Sequence, residues 1–267
     1  MTATTDYLAS LEAWKARRLK ALKAPNGWLN IIGRWWLSPG RLTVGSGPEN
    51  DLVLSAGPAK LGTVEQDEQG SVTFTPANGE PPIRVKPDKH HPPQFTVDGL
   101  LVEITTLNGE NALRIRDTHS TEAEKLAPLE YFPPRPELRI VARWVPYAEP
   151  QQLTINTSKD IETEVEATHK AVFELEGRHV ELVATHGTPE RPQFVIRDLT
   201  SRDTTYPACR FVYGEEVTDE TIVVDFNKAI NPPCAFTEFA VCPLPPPGNV
   251  LPIRIEAGEK WPHEEPA

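Results

Sequence analysis

The chain has 267 residues, a formal net charge of −11 and a mean hydropathy of −0.40. At about 150 residues per domain this is one large domain or two modest ones, and an acidic surface argues against a nucleic-acid backbone as partner. Three cysteines are too few for a disulfide-stapled scaffold; MTATTDYLASLEAW lacks a basic start followed by an apolar run; and the apolar stretch GWLNIIGRWWL, which contains Arg34, is too short to span a bilayer. The expectation is a soluble, cytoplasmic, globular protein with no membrane partner and no cofactor. Its oligomeric state is left open.

Residues 6–23, DYLASLEAWKARRLKALK, predict one helix. Leu8, Leu11, Trp14, Arg18 and Leu22 share a stripe at spacings of three and four, and Pro25, Asn26 and Gly27 end it. Such a stripe packs on the body of the protein; the alternative is a face for a partner. The Arg34-Trp35-Trp36 cluster reads as core or edge packing.

From residue 40 the pattern changes to short strands broken by turns. RLTVG, DLVLS, SVTFT and PIRVK alternate β-branched residues with polar ones, which suggests an all-β sandwich or barrel. An internal repeat supports this. Phe95, Gly99, Val102, Glu103, Ile115, Arg116, Asp117 and Ser120 align with Phe173, Gly177, Val180, Glu181, Ile196, Arg197, Asp198 and Ser201. Each copy reads as a hairpin with a D-G or E-G turn and a third strand ending in I-R-D. The proline-rich PLEYFPPRPELR (128–139) is an extended connector between them.

The predicted architecture is therefore mainly β: two meanders, sandwich- or barrel-like, with one N-terminal helix and a proline-rich C-terminal strap. The expected boundaries are 1–39 for the helix and Trp-rich strand, 40–132 for the first lobe, 138–260 for the second with its strap, and 261–267 for an acidic tail.

Several motifs bear on chemistry. GRLTVGSGPENDLVL (40–54) resembles the opening of a forkhead-associated phosphopeptide-binding domain, but Ser46 follows Gly45 and Ala59 to Gly62 offers neither Ser nor His. The phosphate-reading groups are missing. The histidines, His90-His91 included, form no His-x-x-x-His pair, and Cys234 and Cys242 are too far apart for a zinc knuckle, so no metal is expected. Cys234 has no helix behind it and no histidine near it in sequence, which reads as an inert buried thiol. A Cys234–Cys242 disulfide is geometrically allowed, and cytoplasmic residence argues against it.

The polar residues around the strap are the stronger candidates. Asp225 and Asn227 share a strand face, and Asn231 follows. Arg197 and Asp198 lie at a strand end upstream, followed by Tyr206 and Arg210. If these strands are neighbours, two arginines, two acids and two asparagines meet at one end of the second lobe. Arginine forks suit a carboxylate or phosphate. The alternative is an internal salt-bridge network that holds the strap and satisfies its backbone.

The run DFNKAINPPCAF with CPLPPPGNVLPIRIEAGEK resembles the C-terminal block of the family known as domain of unknown function 1684. GWLNIIGRWWLSPGRLTVGSGPENDLVL, PAKLG, IRDLTSRDTTYPACRF and VVDFN are similar to its other segments, so the resemblance runs from 27 to 260 as one unit. It implies predominantly β structure and brings no activity, cofactor or catalytic residue. It places Arg197, Asp198, Tyr206, Arg210, Asp225, Asn227, Asn231, Pro232, Pro233, Cys234 and Cys242 on signature positions. Cys209 stands where the family pattern expects glycine.

Three functional readings follow. The first is binding of a small polar or anionic molecule near Arg197, Arg210 and the Asp225–Asn231 loop. The second is a hydrolase with Asp225 or Asp198 as general base. The third is an interaction module that uses the helix and the Trp-rich strand.

Overall fold

The computed structural model describes residues 2–89 and 91–261. His90 of the His90-His91 pair and residues 262–267 of the expected tail lie outside them. Among the described residues the protein is mainly β, with one α-helix and three sheets. The chain divides into two compact units, Lys20–Leu126, and Met1–Leu19 with Ala127–Ala267. The segment 1–39 divides at that boundary.

The Lys20–Leu126 unit is a sandwich. Strands β1 (Ile31–Trp36), β2 (Gly40–Gly45), β3 (Leu52–Val53), β4 (Gly62–Gln66), β5 (Val72–Pro76) and β6 (Ile83–Val85) are followed by β7 (Gln94–Val97), β8 (Leu100–Leu107) and β9 (Glu110–Asp117). One sheet has the order β1-β9-β8-β7 and the other β3-β2-β4-β5-β6. Period-two alternation puts Val44, Val64 and Phe74 of one sheet against Val102, Ile104, Leu113 and Ile115 of the other. Trp35 packs on this core, while Trp36 lies at the edge with the Arg34 guanidinium 4.1 Å from its ring centre. Strand β4 went unrecognised in the sequence because it carries one fully apolar core residue, Val64.

The other unit is built on a seven-stranded antiparallel sheet. Its strands are β10 (Arg139–Ile155), β11 (Thr163–Leu175), β12 (Arg178–Val183), β13 (His186–Thr188), β14 (Arg191–Ile196), β15 (Arg210–Glu215) and β16 (Thr221–Asp225). They lie in the order β12-β11-β10-β16-β15-β14-β13. The two outermost strands, β12 and β13, are consecutive in the chain, with only Ala184 and Thr185 between them. The three Cα–Cα steps from Val183 to His186 span at most about 11 Å, so the sheet must roll until its edges approach each other. At this seam Thr185 N donates to Gln193 O at 3.2 Å. Asn249 stitches it: its Oδ1 accepts from Val183 N, and its Nδ2 donates to the carbonyls of Val183 and Val195, each at 2.9 Å. No ladder closes the roll among the described residues. Inside it, Trp144, Phe173, Leu182, Phe194, Ile222, Val224 and Phe226 form the core.

The two hairpins of the internal repeat are present. β7–β8 and β11–β12 turn at Asp98-Gly99 and Glu176-Gly177, both pairs with positive φ. The third strands diverge. β9 pairs with β8, whereas β14 lies at the opposite end of its sheet from β12. The extra residues of the second copy form the β13–β14 hairpin and redirect the chain. Gly187, within β13, permits this close pairing: its φ is +91°, and a Cβ there would lie 2.3 Å from Arg191 O.

The helix α1 (Thr2–Leu22) presents a stripe that differs by one residue from the expected one. Leu8 is exposed; Tyr7 takes its place beside Leu11, Trp14 and Arg18. Within its unit the face is occupied: Tyr7 reaches Asp225, Trp14 meets the Tyr131 ring, and Arg18 pairs with Glu259.

Candidate functional site

The strap after β16 has no ladder of its own. Four isolated bridges (Phe211↔Ile230, Thr157↔Pro243, Arg197↔Val250 and Tyr131↔Glu259) and side chains hold it. Prolines lower the entropy of ordering such a segment but leave carbonyls that need donors. Arg210 supplies them. It is 1% exposed and donates to Ile255 O at 3.0 Å, to Ala257 O, and to Asp198 Oδ1 at 3.0 Å. Asp198 also accepts from Ile255 N at 2.7 Å and from Thr200 N and Oγ1, capping the 3-10 turn Leu199–Arg202. Burial pulls the Arg210 guanidinium below its ordinary value, and the Asp198 charge opposes that. In this structure the two terminal guanidinium nitrogens of Arg210 act as an internal clamp on Asp198 and the strap.

Asp225 is likewise enclosed. It has no exposed surface, and its oxygens accept from Tyr7 Oη at 3.0 Å and from the backbone and side-chain nitrogens of Asn227 at 3.1 Å. Burial holds its carboxyl above the ordinary 3.8. Asn227 also binds Arg135 N and O at the connector. Asn231 is fixed by Glu259 Oε2 at 2.7 Å and Lys260 O at 2.9 Å. Glu259, fully buried, accepts from Arg18 and Tyr131 as well. Asp198 and Asp225, the two acids considered as general bases, are both buried, with their oxygens engaged by these hydrogen bonds.

The remaining two candidates lie apart from that clamp. Arg197 is exposed, and its backbone pairs with the strap at Asn249 and Leu251. Tyr206 donates to Cys234 O at 3.1 Å and meets the Trp261 ring edge-on. Trp261, expected in a loose tail, also packs on Phe236. The cysteines are all free. Cys234 is only half-buried, which corrects the expectation of a buried, inert thiol. Among the described residues no group of three His, Cys, Asp or Glu is arranged to hold a metal ion, and no helix is long and apolar enough to cross a membrane.

A concave feature of this unit lies elsewhere, at the sheet seam. A cleft of about 350 Å³ is bounded by Trp144 on β10, Glu166 and His169 on β11, Thr185 and His186 at the seam, and Pro192 on β14. The His169 and Trp144 rings stack in parallel, 4.8 Å between centres and 10° between planes. Each imidazole is oriented by the preceding threonine: His169 Nδ1 lies 2.9 Å from Thr168 Oγ1, and His186 Nδ1 lies 2.9 Å from Thr185 Oγ1. Sequence reasoning missed this site because His169 and His186 sit on strands from opposite ends of the sheet. It also missed Asn249, Glu259 and Tyr7. The one available signal was Asn249, an amide inside a proline run where backbone partners are needed.

These features define a mainly β protein whose C-terminal strap is keyed to a rolled sheet by buried polar side chains. The chain belongs to the family described as Protein of unknown function (DUF1684), which matches residues 124–260, just over half of its length. The N-terminal Gly-Trp-Leu block lies outside the matched residues. No curated protein matches the chain. Among solved structures it is similar to an uncharacterized protein of Haloarcula marismortui determined by solution NMR. The identity is 27% and the TM-score 0.45, over 54% of this chain and 82% of that one.

Proposed function

We propose that the protein binds a small polar or anionic molecule in the seam cleft of its second lobe, bounded by Trp144, His169, Thr185 and His186. The observation that carries this reading is the cleft itself. Its volume, about 350 Å³, falls at the lower end of the roughly 300–1,000 Å³ typical of ligand pockets. Apolar Trp144 and Pro192 form part of its wall, and two hydroxyl-oriented imidazoles provide convergent polar groups. An imidazole can donate and accept, and once protonated it can meet an anion. We favour this cleft over the site envisaged from sequence at Arg197, Arg210 and Asp225–Asn231, because the side chains of Arg210, Asp225, Asn227 and Asn231 are already engaged within the protein.

The test is a thermal-shift screen of polar and anionic metabolites on the wild type and on the His169→Ala/His186→Ala double variant. A ligand at 100 times its Kd adds about 2.7 kcal/mol, or about 5–10 °C for a unit of this size. Compounds that stabilise the wild type and not the variant support the cleft. If every stabilising compound acts equally on both, or none stabilises the wild type, the reading fails.

A further inference from the structure

We propose that Cys234 and Cys242 form a peroxide-sensitive dithiol, with Cys234 as the attacking sulfur and Cys242 as the resolving one. The two lie on the same strap and converge. Cys234 N donates to Cys242 Sγ at 3.2 Å. The strap is pinned on both sides of the pair. Cys242 N donates to Ser158 Oγ at 3.1 Å, and Tyr206 Oη donates to Cys234 O at 3.1 Å. Cys234 is half-buried, open enough for a small oxidant, whereas Cys242 is buried behind it.

The electrostatics agree with this division of roles. The Cys242 thiol, then the Tyr206 and Ser158 hydroxyls, stabilise a thiolate on Cys234 and bring it down to about 7. The Cys234 sulfur beside it as hydrogen-bond acceptor, then burial, hold the proton on Cys242. The thiolate is the nucleophilic form. Cys209, one residue before β15, is excluded: it is buried, its thiol points to Pro243 O at 3.6 Å, and burial pushes it up.

The chemistry needs a hydroperoxide as oxidant. The Cys234 thiolate attacks one peroxide oxygen; the O–O bond breaks, an S–O bond forms, and the departing alkoxide or hydroxide takes a proton from solvent. Cys242 sulfur then attacks Cys234 sulfur. The S–S bond forms, the S–O bond breaks, and the hydroxyl leaves as water with the Cys242 proton. Two thiols are oxidised by two electrons, and the peroxide is reduced.

The test treats the full reduced chain with stoichiometric hydrogen peroxide, blocks the remaining thiols with an alkylating agent, and maps the peptides by mass. The expected product carries a Cys234–Cys242 link and one alkylated residue, Cys209. Cys234 should react about tenfold or more faster than Cys209. In Cys242→Ser the Cys234 sulfenic acid should persist and be captured by a cyclic 1,3-diketone. Three alkylated cysteines in the wild type, or a link that involves Cys209, would overturn the proposal. The wild-type map stands whether or not the variant folds.

Discussion

Replacing Arg210 by methionine keeps most of the side-chain length and removes the charge. The substitution leaves Asp198, 3% exposed, ionised without its counter-ion, although Thr200 and Ile255 still donate to it. It also removes the donors to Ile255 O and Ala257 O. Breaking a buried pair by deleting one partner costs about 3–5 kcal/mol. The surviving donors soften the carboxylate's loss, and the two orphaned carbonyls add to it, so about 4 kcal/mol is expected. For a unit of this size that is a fall of about 10 °C in Tm. Urea unfolding followed by tryptophan fluorescence measures it. Adding Asp198→Asn removes the stranded charge, so the double variant should be more stable than the sum of the two single losses implies. A cost below about 1 kcal/mol for Arg210→Met, or strict additivity with Asp198→Asn, would refute the clamp.

Other outcomes follow from the same contacts. Because burial raises Asp225 above its ordinary 3.8, the folded state holds a proton that the unfolded chain releases. The stabilisation is full below 3.8 and is lost as pH rises through the raised value. The stability advantage of wild type over Asp225→Asn should therefore shrink as pH rises above 3.8, as read from urea midpoints; an advantage that grows would contradict the assignment. Asn249→Ala removes three hydrogen bonds across the seam. It should cost about 2–3 kcal/mol and weaken amide-exchange protection at Val183 by tenfold or more; unchanged protection there would place the closure of the roll elsewhere.

The fold was legible where side-chain pattern and topology agree. Alternation in RLTVG and SVTFT, and the D-G and E-G turns, sufficed for strands and hairpins. The rolled sheet was not legible, because its order depends on β14 crossing to the far side of β16, and local sequence does not encode that. The I-R-D identity of β9 and β14 even suggested the wrong neighbour. The polar residues around the strap were found by type, since a proline-laden coil must borrow donors and acceptors. Whether Arg210 faced a ligand or Ile255 and Ala257 depended on burial, which the alternation could not give. Cys234 shows the same limit: Tyr206 and Ser158 are 28 and 76 positions away in the chain and reach it only through the fold.

The seam cleft is tested most directly by mapping a small-fragment library onto the isotope-labelled protein by NMR. The account predicts that binders perturb the His169 and His186 ring signals and the Ala184–Thr188 amides, and that Trp144→Ala abolishes these shifts. Binders that instead perturb Arg197, Arg210 and the Asp225–Asn231 loop, with the His169 and His186 signals unmoved, would contradict it.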